Sequence, residues 1–336
     1  MNSKKKNILL IATGGTIACK KDETGLSPVM TINEILSYVP SVKDLCDVDA
    51  IQLFNIDSTD ISPRHWLKIA ETIKTNYDKY DGFLILHGTD TMAYTAAVLS
   101  YLIQNNKKPI VLTGAQKPLS NDFTDARTNL YDSFLYCLSD KSCGVQIVFG
   151  GNVICGTRAK KTHSKSFNAF SSINYPYLAV IRDGKIMRYL DKTITGEPKF
   201  YDNLNEKIGL FKLIPGANAE VLDYLFGIND AVIIESFGTG GIPEGEDYSF
   251  SQVIARWSAA GKILVMCTQV ENEGSDMTVY KVGKSFKDKY DFIESYDMTL
   301  EATVAKLMWI TGFETSRKNV KKLFYKTINE DILYIE

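Results

Sequence analysis

Residues 82–91 read GFLILHGTDT, and this stretch decides the fold. An apolar run over residues 83–86 stops at a His-Gly pair, and small polar residues then lead into a helical pattern. A buried strand that ends in a glycine turn before a helix puts polar side chains and free backbone N–H groups at the carboxyl edge of a parallel sheet, where open α/β folds bind ligands. Residues 8–17, ILLIATGGTI, share this design. We expect the two turns to face each other across one active site.

Length and charge limit the class of protein and its partners. A chain of 336 residues can bury large cores and is expected to form one or two domains. The net charge of −2 argues against nucleic acid as a partner. No apolar segment approaches the ~20 residues that a helix needs to cross a membrane, so we expect no membrane association.

Cysteine and histidine usage argues against a bound metal. The six cysteines are scattered without a CxxC motif, and the three histidines form no HExxH motif, so we expect no metal and no cofactor. Scattered cysteines in a chain of this size are typical of a reduced, intracellular protein. The first apolar run, of about five residues, is shorter than the ~7–15 of a signal peptide. A cytoplasmic location is therefore expected.

Alternating buried strands and helices predict a doubly wound, mainly parallel sheet in a larger N-terminal α/β domain over residues 1–190. Two hairpins, at residues 145–155 and 178–189, are expected to extend this sheet. A polar segment over residues 191–207 is predicted to link it to a smaller C-terminal α/β domain over residues 208–336.

The apolar patterns and cap signals predict the individual elements. The cap signals include a capping box formed by Thr31 and Glu34 and a helix cap at Thr299. The expected strands lie at residues 8–12, 50–56, 83–86, 109–113, 208–213, 231–235 and 263–267. The expected helices lie at residues 31–38, 63–80, 92–104, 126–138, 217–226, 249–260, 299–310 and 317–324. The polar residues 19–30 are expected to form a loop, and the basic run at 158–165 is expected to be a solvated loop.

The TGGT turn at residues 13–16 offers a hydroxyl group beside flexible backbone. A threonine hydroxyl is a poor nucleophile unless a base and oxyanion donors assist it. Gly14 and Gly15 allow backbone N–H groups to approach a ligand closely. The turn is equally compatible with a phosphate-binding loop or a plain tight turn, although the Rossmann and P-loop motifs are absent.

Two further polar clusters follow strand ends. Thr89, Asp90 and Thr91 precede a helix, where threonine and aspartate are also ordinary cap residues, and Thr91 is expected to cap this helix. The DSTD sequence at residues 57–60 is also compatible with simple turn chemistry. Lys161 lies in the basic run, where a lysine is usually solvated. A catalytic role requires it to be half-buried beside a carboxylate or a hydroxyl.

Two long motifs carry a family resemblance. ATGGTIA at residues 12–18 and LILHGTDTMAYTAAVLSY at 84–101 resemble the two active-site signatures of the bacterial-type L-asparaginases, a threonine amidohydrolase family. The chain is most similar to the intracellular, type I branch. The resemblance continues through KPIVLTGAQ at 108–116, DARTN at 125–129, SINYPYLA at 172–179 and MTLEATVAKLMW at 298–309.

The resemblance implies catalytic residues at matching positions. It puts the acylated nucleophile at Thr16, and a supporting triad at Thr89, Asp90 and Lys161. The implied reaction is hydrolysis of L-asparagine to L-aspartate and ammonia through an acyl-enzyme, without a metal or cofactor. This activity belongs to asparagine catabolism.

The resemblance also implies the substrate contacts. Asp90 would hold the α-ammonium group, and Ser58 the α-carboxylate. Backbone N–H groups near Gly88 and Thr89 would form the oxyanion site. The remaining implied contacts are Gly15, Asp57 and Thr59. Family members self-associate, so a homodimer or homotetramer is expected.

The chain departs from the family pattern at the loop after Ile17. Many members carry there a tyrosine that bonds the nucleophile, but the nearest aligned position is Leu26. Activation of Thr16 must then depend more on Thr89 and Lys161, or another segment of the chain must assist. The effector-site arginine and cysteine of some intracellular members align with Glu235 and Val270, so that form of allostery is not expected.

Two alternatives remain open. One is the related subunit of the tRNA-dependent amidotransferase, which releases ammonia from glutamine. That subunit normally carries an added N-terminal domain, whereas this chain is expected to start at its first strand. The other is a non-catalytic amino-acid-binding protein on the same fold, since a fold does not determine a function.

Overall fold

The computed structural model describes residues 5–22, 25–28, 30–243, 249–279, 284, 286–287 and 289–333. The chain divides into two compact units, Met1–Asp202 and Asn203–Glu336.

The elements of the N-terminal unit follow in chain order. They are β1 (Asn7–Gly14), β2 (Cys19–Asp22), β3 (Gly25–Pro28), α1 (Ile32–Ser37), α2 (Val42–Leu45), β4 (Asp47–Ile56), α3 (Pro63–Asn76), β5 (Gly82–Leu86), α4 (Met92–Leu102), β6 (Ile103–Gln104), β7 (Pro109–Thr113), α5 (Ala126–Leu138), β8 (Gly144–Phe149), β9 (Asn152–Cys155), β10 (Ala159–Lys161), β11 (Phe170–Ser172), β12 (Ala179–Arg182), β13 (Lys185–Arg188) and β14 (Lys199–Phe200). Single 3₁₀ turns lie at Thr16–Ala18, Ser58–Asp60 and Tyr77–Lys79.

The main sheet has the strand order β13-β12-β9-β8-β7-β5-β1-β4. Strands β4, β1, β5, β7 and β8 pair in parallel, and the hairpins β8–β9 and β12–β13 add antiparallel strands at one side. The chain leaves β1 for β4 on one side and returns to β5 on the other. The carboxyl ends of β1 and β5 therefore form a topological switch point, where open α/β sheets bind ligands. The predicted doubly wound sheet with hairpin additions is confirmed.

Continuous burial explains the central strands. All five residues of β5 and all five of β7 are buried, as expected for parallel strands covered on both faces. Helix α4 buries nearly all of its residues and packs as a core helix. Helix α1 begins with a capping box in which the Thr31 hydroxyl accepts from Glu34 N–H and the Glu34 carboxylate accepts from Thr31 N–H.

The expectation of a loop over residues 19–30 is wrong for the part of it that the structure describes. Strands β2 and β3 form an antiparallel hairpin in which Lys21 pairs with Leu26. Residues 23, 24 and 29 of that loop lie outside the described residues. Backbone hydrogen bonds can hold so short a hairpin, and its polar sequence has no apolar alternation to reveal it.

The expectation of a solvated loop over residues 158–165 is also wrong at its start. Arg158 is fully buried, and its guanidinium lies 5.5 Å from the centre of the Tyr175 ring. Residues Ala159–Lys161 form β10, which pairs antiparallel with β11. Contact with an aromatic face allows a buried guanidinium, which a charge count along the sequence cannot show.

The C-terminal unit contains β15 (Ile208–Lys212), α6 (Ala219–Ile228), β16 (Ala231–Ser236), α7 (Phe250–Ala259), β17 (Ile263–Thr268), β18 (Ile293–Glu294), α8 (Leu300–Thr311) and α9 (Arg317–Phe324). Strands β15 to β18 form a parallel four-stranded sheet in chain order. Thr299 caps α8 by accepting a hydrogen bond from Ala302 N–H, as the sequence predicts. A smaller C-terminal α/β domain is confirmed.

A buried ion pair holds the end of the chain to this unit. The Lys306 ammonium lies 2.5 Å from the Asp331 carboxylate, and both side chains are fully buried. Lys306 also donates to the carbonyl of Lys326. Removing one partner leaves the other charge buried and uncompensated.

We predict that Lys306→Met lowers the free energy of unfolding of the C-terminal unit by about 3–5 kcal/mol, because Asp331 then has no countercharge. Urea unfolding measures the change. Lys141→Met is the matched control, since Lys141 and Asp191 form an exposed pair and its loss should cost about 1 kcal/mol or less. Equal effects of the two substitutions would contradict the assignment.

Candidate active site

The two glycine turns singled out in the sequence lie in direct backbone contact. Gly15 has a φ of +84°, and a Cβ atom on it would lie 2.4 Å from the Gly88 nitrogen and 2.5 Å from the Gly88 Cα. Only glycine allows so close an approach. Because Thr16 follows Gly15 and Thr89 follows Gly88, each of these threonines is one residue away from the contact.

The end of β4 joins the same contact. A Cβ on Gly88 would lie 2.6 Å from the Ser58 Oγ, so the buried Ser58 packs directly against the second turn. Thr91 donates from its Oγ1 to the Ser58 carbonyl at 2.7 Å. Thr91 stands at the N-cap position of α4 but makes no side-chain cap bond. Its expected capping role is therefore wrong, and it ties β4 to β5 instead.

Asp57 and Thr59 flank Ser58. The Asp57 carboxylate accepts from Thr59 N–H and from the Thr59 hydroxyl, both at 2.9 Å. Asp57 thereby caps the short 3₁₀ turn that begins at Ser58. The Ser58 hydroxyl has no hydrogen-bond partner among the residues that the structure describes, so it is available to a ligand.

Lys161 reaches the GTDT turn from β10. Its Nζ donates to Thr89 Oγ1 at 2.7 Å and to Asp90 Oδ1 at 2.5 Å. The lysine side chain is 17% exposed, Thr89 is buried, and Asp90 is open to solvent. Pairing of Lys161 with Phe170 in the β10–β11 hairpin holds the lysine backbone. Lys161 thus lies beside both a hydroxyl and a carboxylate, which is the environment that a catalytic role of this lysine requires.

Thr16 begins the 3₁₀ turn that closes the first motif. The Ala18 N–H donates to the Gly15 carbonyl at 3.1 Å, and Ile17 is buried beneath the turn. Thr16 is half-buried, and its hydroxyl makes no hydrogen bond among the described residues. The Thr16 hydroxyl, at the switch point, can therefore still donate its proton and accept a hydrogen bond.

His87 has a structural role that the sequence did not reveal. It is fully buried, its Nδ1 lies 2.6 Å from the Gly88 carbonyl, and its Nε2 lies 2.9 Å from Thr95 Oγ1. Because a carbonyl only accepts, Nδ1 must carry the proton and Nε2 must accept from Thr95. The Trp66 indole donates to Thr95 Oγ1 at 2.9 Å and completes the chain.

This chain of hydrogen bonds orients one peptide of the site. The bond from His87 fixes the Gly88 carbonyl, and in a trans peptide the N–H of Thr89 points the opposite way. The Thr89 N–H is one of the donors expected for an oxyanion. Burial lowers the pKa of His87 to about 4, while its bond to Gly88 acts in the opposite direction. The imidazole therefore stays neutral near neutral pH.

Gln116 also adjoins the site, although the sequence alone assigns it no role. The Thr89 Oγ1 lies 3.3 Å from Gln116 Oε1. The buried Asp125 carboxylate accepts from Gln116 N–H at 2.9 Å and from Lys117 N–H at 3.1 Å. Asn129 donates to Asp125 and to the Gly114 carbonyl. Burial raises the pKa of Asp125, and these hydrogen bonds oppose the rise.

The part of the chain that the structure describes gives no sign of a metal centre or a membrane span. Within it no group of three or more histidine, cysteine, aspartate or glutamate side chains could hold a metal ion. No described helix has the length and apolar character needed to cross a membrane.

The fold and the site together define a class, namely a two-domain α/β protein with hydroxyl, lysine and carboxylate groups at a sheet switch point. A family model described as asparaginase, N-terminal, matches residues 7–194, and one described as glutaminase/asparaginase C-terminal domain matches residues 207–324. The chain belongs to the asparaginase family, which confirms the resemblance carried by its motifs.

Three relatives illustrate the range of the family. The chain is 35% identical to an L-asparaginase of Thermococcus kodakarensis over 97% of this chain and 98% of that one, and the solved structure of that protein covers 98% of this chain with a TM-score of 0.92. It is also 35% identical to a glutamyl-tRNA(Gln) amidotransferase subunit of Pyrococcus furiosus, over 94% of this chain and 74% of that one. A probable cytoplasmic L-asparaginase from Campylobacter jejuni matches at 26% identity and a TM-score of 0.83, over 96% of this chain and all of that one.

We predict that the stability contributed by His87 falls as the pH drops from about 6.5 to about 4, because the unfolded chain takes up a proton at residue 87 that the folded chain does not. Burial raises the pKa of Asp132 to about 6, which acts in the opposite direction, so the His87 contribution is the difference between wild type and a His87 variant. The stability linked to His87 is complete above pH 6.5 and decreases by about 3 kcal/mol across this window, at about 1.4 kcal/mol per pKa unit. Urea unfolding at several pH values measures it.

His87→Gln should be less stable but should lose this part of the pH dependence. His163→Gln is the matched control, since His163 is exposed and its substitution should leave the slope unchanged. The same slope in wild type and His87→Gln would contradict the assignment.

Proposed function

We propose that the chain hydrolyses L-asparagine to L-aspartate and ammonia, with Thr16 as the nucleophile. The observation that carries this proposal is the pair of hydrogen bonds from Lys161 to Thr89 and Asp90, one residue from the Gly15–Gly88 contact. A lysine beside a hydroxyl and a carboxylate can move a proton without histidine or metal. The L-asparaginase of T. kodakarensis, similar over nearly its whole length, supports the choice of substrate.

The proposed first step acylates Thr16. Its oxygen attacks the side-chain amide carbon, and the carbonyl π electrons move onto the amide oxygen. Before this step the Lys161 ammonium gives one proton to solvent by way of the exposed Asp90 carboxylate and becomes a neutral amine. The Thr16 proton then passes to the Thr89 oxygen while the Thr89 proton passes to Lys161. The oxyanion lies against backbone N–H groups, including that of Thr89, whose direction His87 fixes. When the intermediate collapses, the C–N bond breaks and the leaving nitrogen takes the proton from Lys161 as ammonia.

The proposed second step releases aspartate. Water attacks the ester carbon and gives up its proton through Thr89 to Lys161. The C–O bond to Thr16 then breaks, and the Thr16 oxygen recovers that proton by the same route. Lys161 therefore ends the cycle in the state in which it began.

Substrate recognition is proposed to depend on side chains that can form further hydrogen bonds. Asp90 is exposed and can accept from the substrate's α-ammonium, and the unpartnered Ser58 hydroxyl can donate to its α-carboxylate. Gly15 and Gly88 are proposed to contact the substrate through their backbone atoms. Asp57 and Thr59 hold Ser58 in place, and their own contact with substrate remains part of the proposal.

Many family members carry a loop tyrosine that bonds the nucleophile, and this chain has Leu26 at the nearest aligned position. Lys161 is therefore more important for activating Thr16. Leu26, the nearest aligned position, is paired with Lys21 in the β2–β3 hairpin. We therefore assign activation of Thr16 to Thr89 and Lys161. A homodimer or homotetramer, a cytoplasmic location and the domain division at residues 191–207 remain proposals. The C. jejuni relative, described as probably cytoplasmic, supports the proposed location.

A second candidate function follows from one relative. The amidotransferase subunit of P. furiosus is as similar in identity as the asparaginase of T. kodakarensis. An assay of ammonia from free L-asparagine and free L-glutamine, with this chain alone, separates the two. Release from asparagine without partner or tRNA supports the asparaginase. Release only from glutamine, and only with partner and tRNA, supports the amidotransferase. Saturable binding of asparagine without ammonia would indicate a binding protein.

We predict that Thr16→Ala lowers kcat for asparagine by about 10⁴-fold or more, because no other group replaces the nucleophile. Thr16→Ser retains a hydroxyl and should keep a measurable fraction of the rate. Both variants should melt within a few degrees of wild type. Full activity in Thr16→Ala would refute the assignment.

We predict that Lys161→Met lowers kcat by about 10²–10⁴-fold, because Thr89 loses its proton acceptor. Ammonia release at saturating asparagine measures it. Lys165→Met is the matched control, since Lys165 is exposed in the same basic run and should leave kcat unchanged. Comparable losses in both variants would instead indicate a general effect of charge.

A further inference from the structure

Gln116 lies between the GTDT turn and the segment that follows Lys161. Its Nε2 donates to the carbonyls of His163 at 3.4 Å and Ser166 at 3.3 Å, and its Oε1 faces Thr89 Oγ1 at 3.3 Å. These distances lie at the long end for hydrogen bonds, and such bonds often shorten when a substrate closes a site.

The two carbonyls settle the orientation of the amide. A carbonyl oxygen can only accept, so the NH₂ group of Gln116 must face His163 and Ser166. The amide oxygen then faces Thr89. The backbone of Gln116 cannot shift easily, because the Asp125 carboxylate holds its N–H. The DARTN segment therefore fixes the turn that carries Gln116.

The fixed amide determines the direction of the Thr89 hydroxyl. An amide oxygen also only accepts, so Thr89 must donate its single proton to Gln116 while Lys161 is an ammonium that donates to Thr89. One lone pair of Thr89 then accepts from Lys161, and the other remains free. Because Thr89 and Thr16 each follow a glycine of the Gly15–Gly88 contact, this lone pair is the one assigned to accept the proton of the nucleophile.

We propose that Gln116 is a positioning residue that makes Thr89 an acceptor, rather than a donor, toward Thr16. This inference rests on the proposed function. Without the amide oxygen, and while Lys161 is an ammonium, no acceptor would hold the Thr89 proton on the Gln116 side, so that proton could turn toward the nucleophile and occupy the lone pair needed for attack. When the Lys161 ammonium releases one proton to solvent by way of the exposed Asp90 carboxylate, the Thr89 proton turns from Gln116 to the neutral Lys161 amine, and Thr89 can receive the proton of Thr16.

Gln116→Met is the first test, with steady-state ammonia release from L-asparagine as the readout. Methionine keeps the length of the side chain but offers no comparable acceptor to Thr89. We expect kcat to fall about tenfold to a hundredfold, while KM changes less than about threefold, because no substrate contact is lost. Lys117→Met is the matched control in the same turn, since Lys117 is exposed, and it should match wild type.

Gln116→Glu is the second test and is nearly isosteric. As a carboxylate, the glutamate side chain has no proton to donate to the carbonyls of His163 and Ser166. Acceptor oxygens would then face each other, which is unfavourable. As a carboxylic acid it donates to a carbonyl and accepts from Thr89, as glutamine does. The ratio of its kcat to that of wild type should therefore rise as the pH is lowered from about 8 to about 5, toward the titration range of a glutamate. A residue that only fills space would give a constant ratio.

The outcomes separate the two proposals. If wild type releases no ammonia from asparagine, the proposed function fails and this inference fails with it. If wild type is active and Gln116→Met keeps kcat within twofold, the inference alone is overturned. A change confined to KM, or a pH-independent ratio for Gln116→Glu, also overturns it.

Discussion

The structure depends on one close approach, that of Gly15 to Gly88. The two glycines lie just beyond the ends of neighbouring parallel strands, and the space between their backbones admits no Cβ atom. A parallel sheet brings its carboxyl ends to one edge, but only side-chain-free positions allow two turns to touch there. The contact sets the spacing of the threonines that follow each glycine. The proposed site is thus defined by backbone packing before any side-chain chemistry is considered.

The polar groups around this contact form an ordered set of donors and acceptors. His87 is held neutral by burial and fixes the Gly88 carbonyl, which directs the Thr89 N–H. Gln116, fixed by acceptor-only carbonyls, directs the Thr89 hydroxyl. Lys161 connects that hydroxyl to Asp90. These bonds orient the N–H and the hydroxyl of Thr89 before substrate enters.

Patterns in the sequence predict those parts of the structure that depend on local physics. Continuous apolar runs predict the central strands, and the spacing of Thr31 and Glu34 predicts a capping box that is present. Features that depend on distant contacts escaped prediction. Burial of Arg158 needs the Tyr175 ring, and the role of Gln116 needs carbonyls about fifty residues away along the chain. The β2–β3 hairpin relies on backbone bonds between polar residues, which leave no periodic signal.

The central claim is that Thr16, on the first turn, carries the acyl group while the second turn only assists. Acid quenching of the enzyme during turnover of L-asparagine, followed by cleavage after lysine and mass spectrometry, tests this most directly. The peptide over residues 7–20 should gain one aspartyl group, and fragmentation should assign it to Thr16 rather than to Thr13. An aspartyl group on Thr89, or turnover of L-asparagine with no acylated peptide after the quench, would contradict the account.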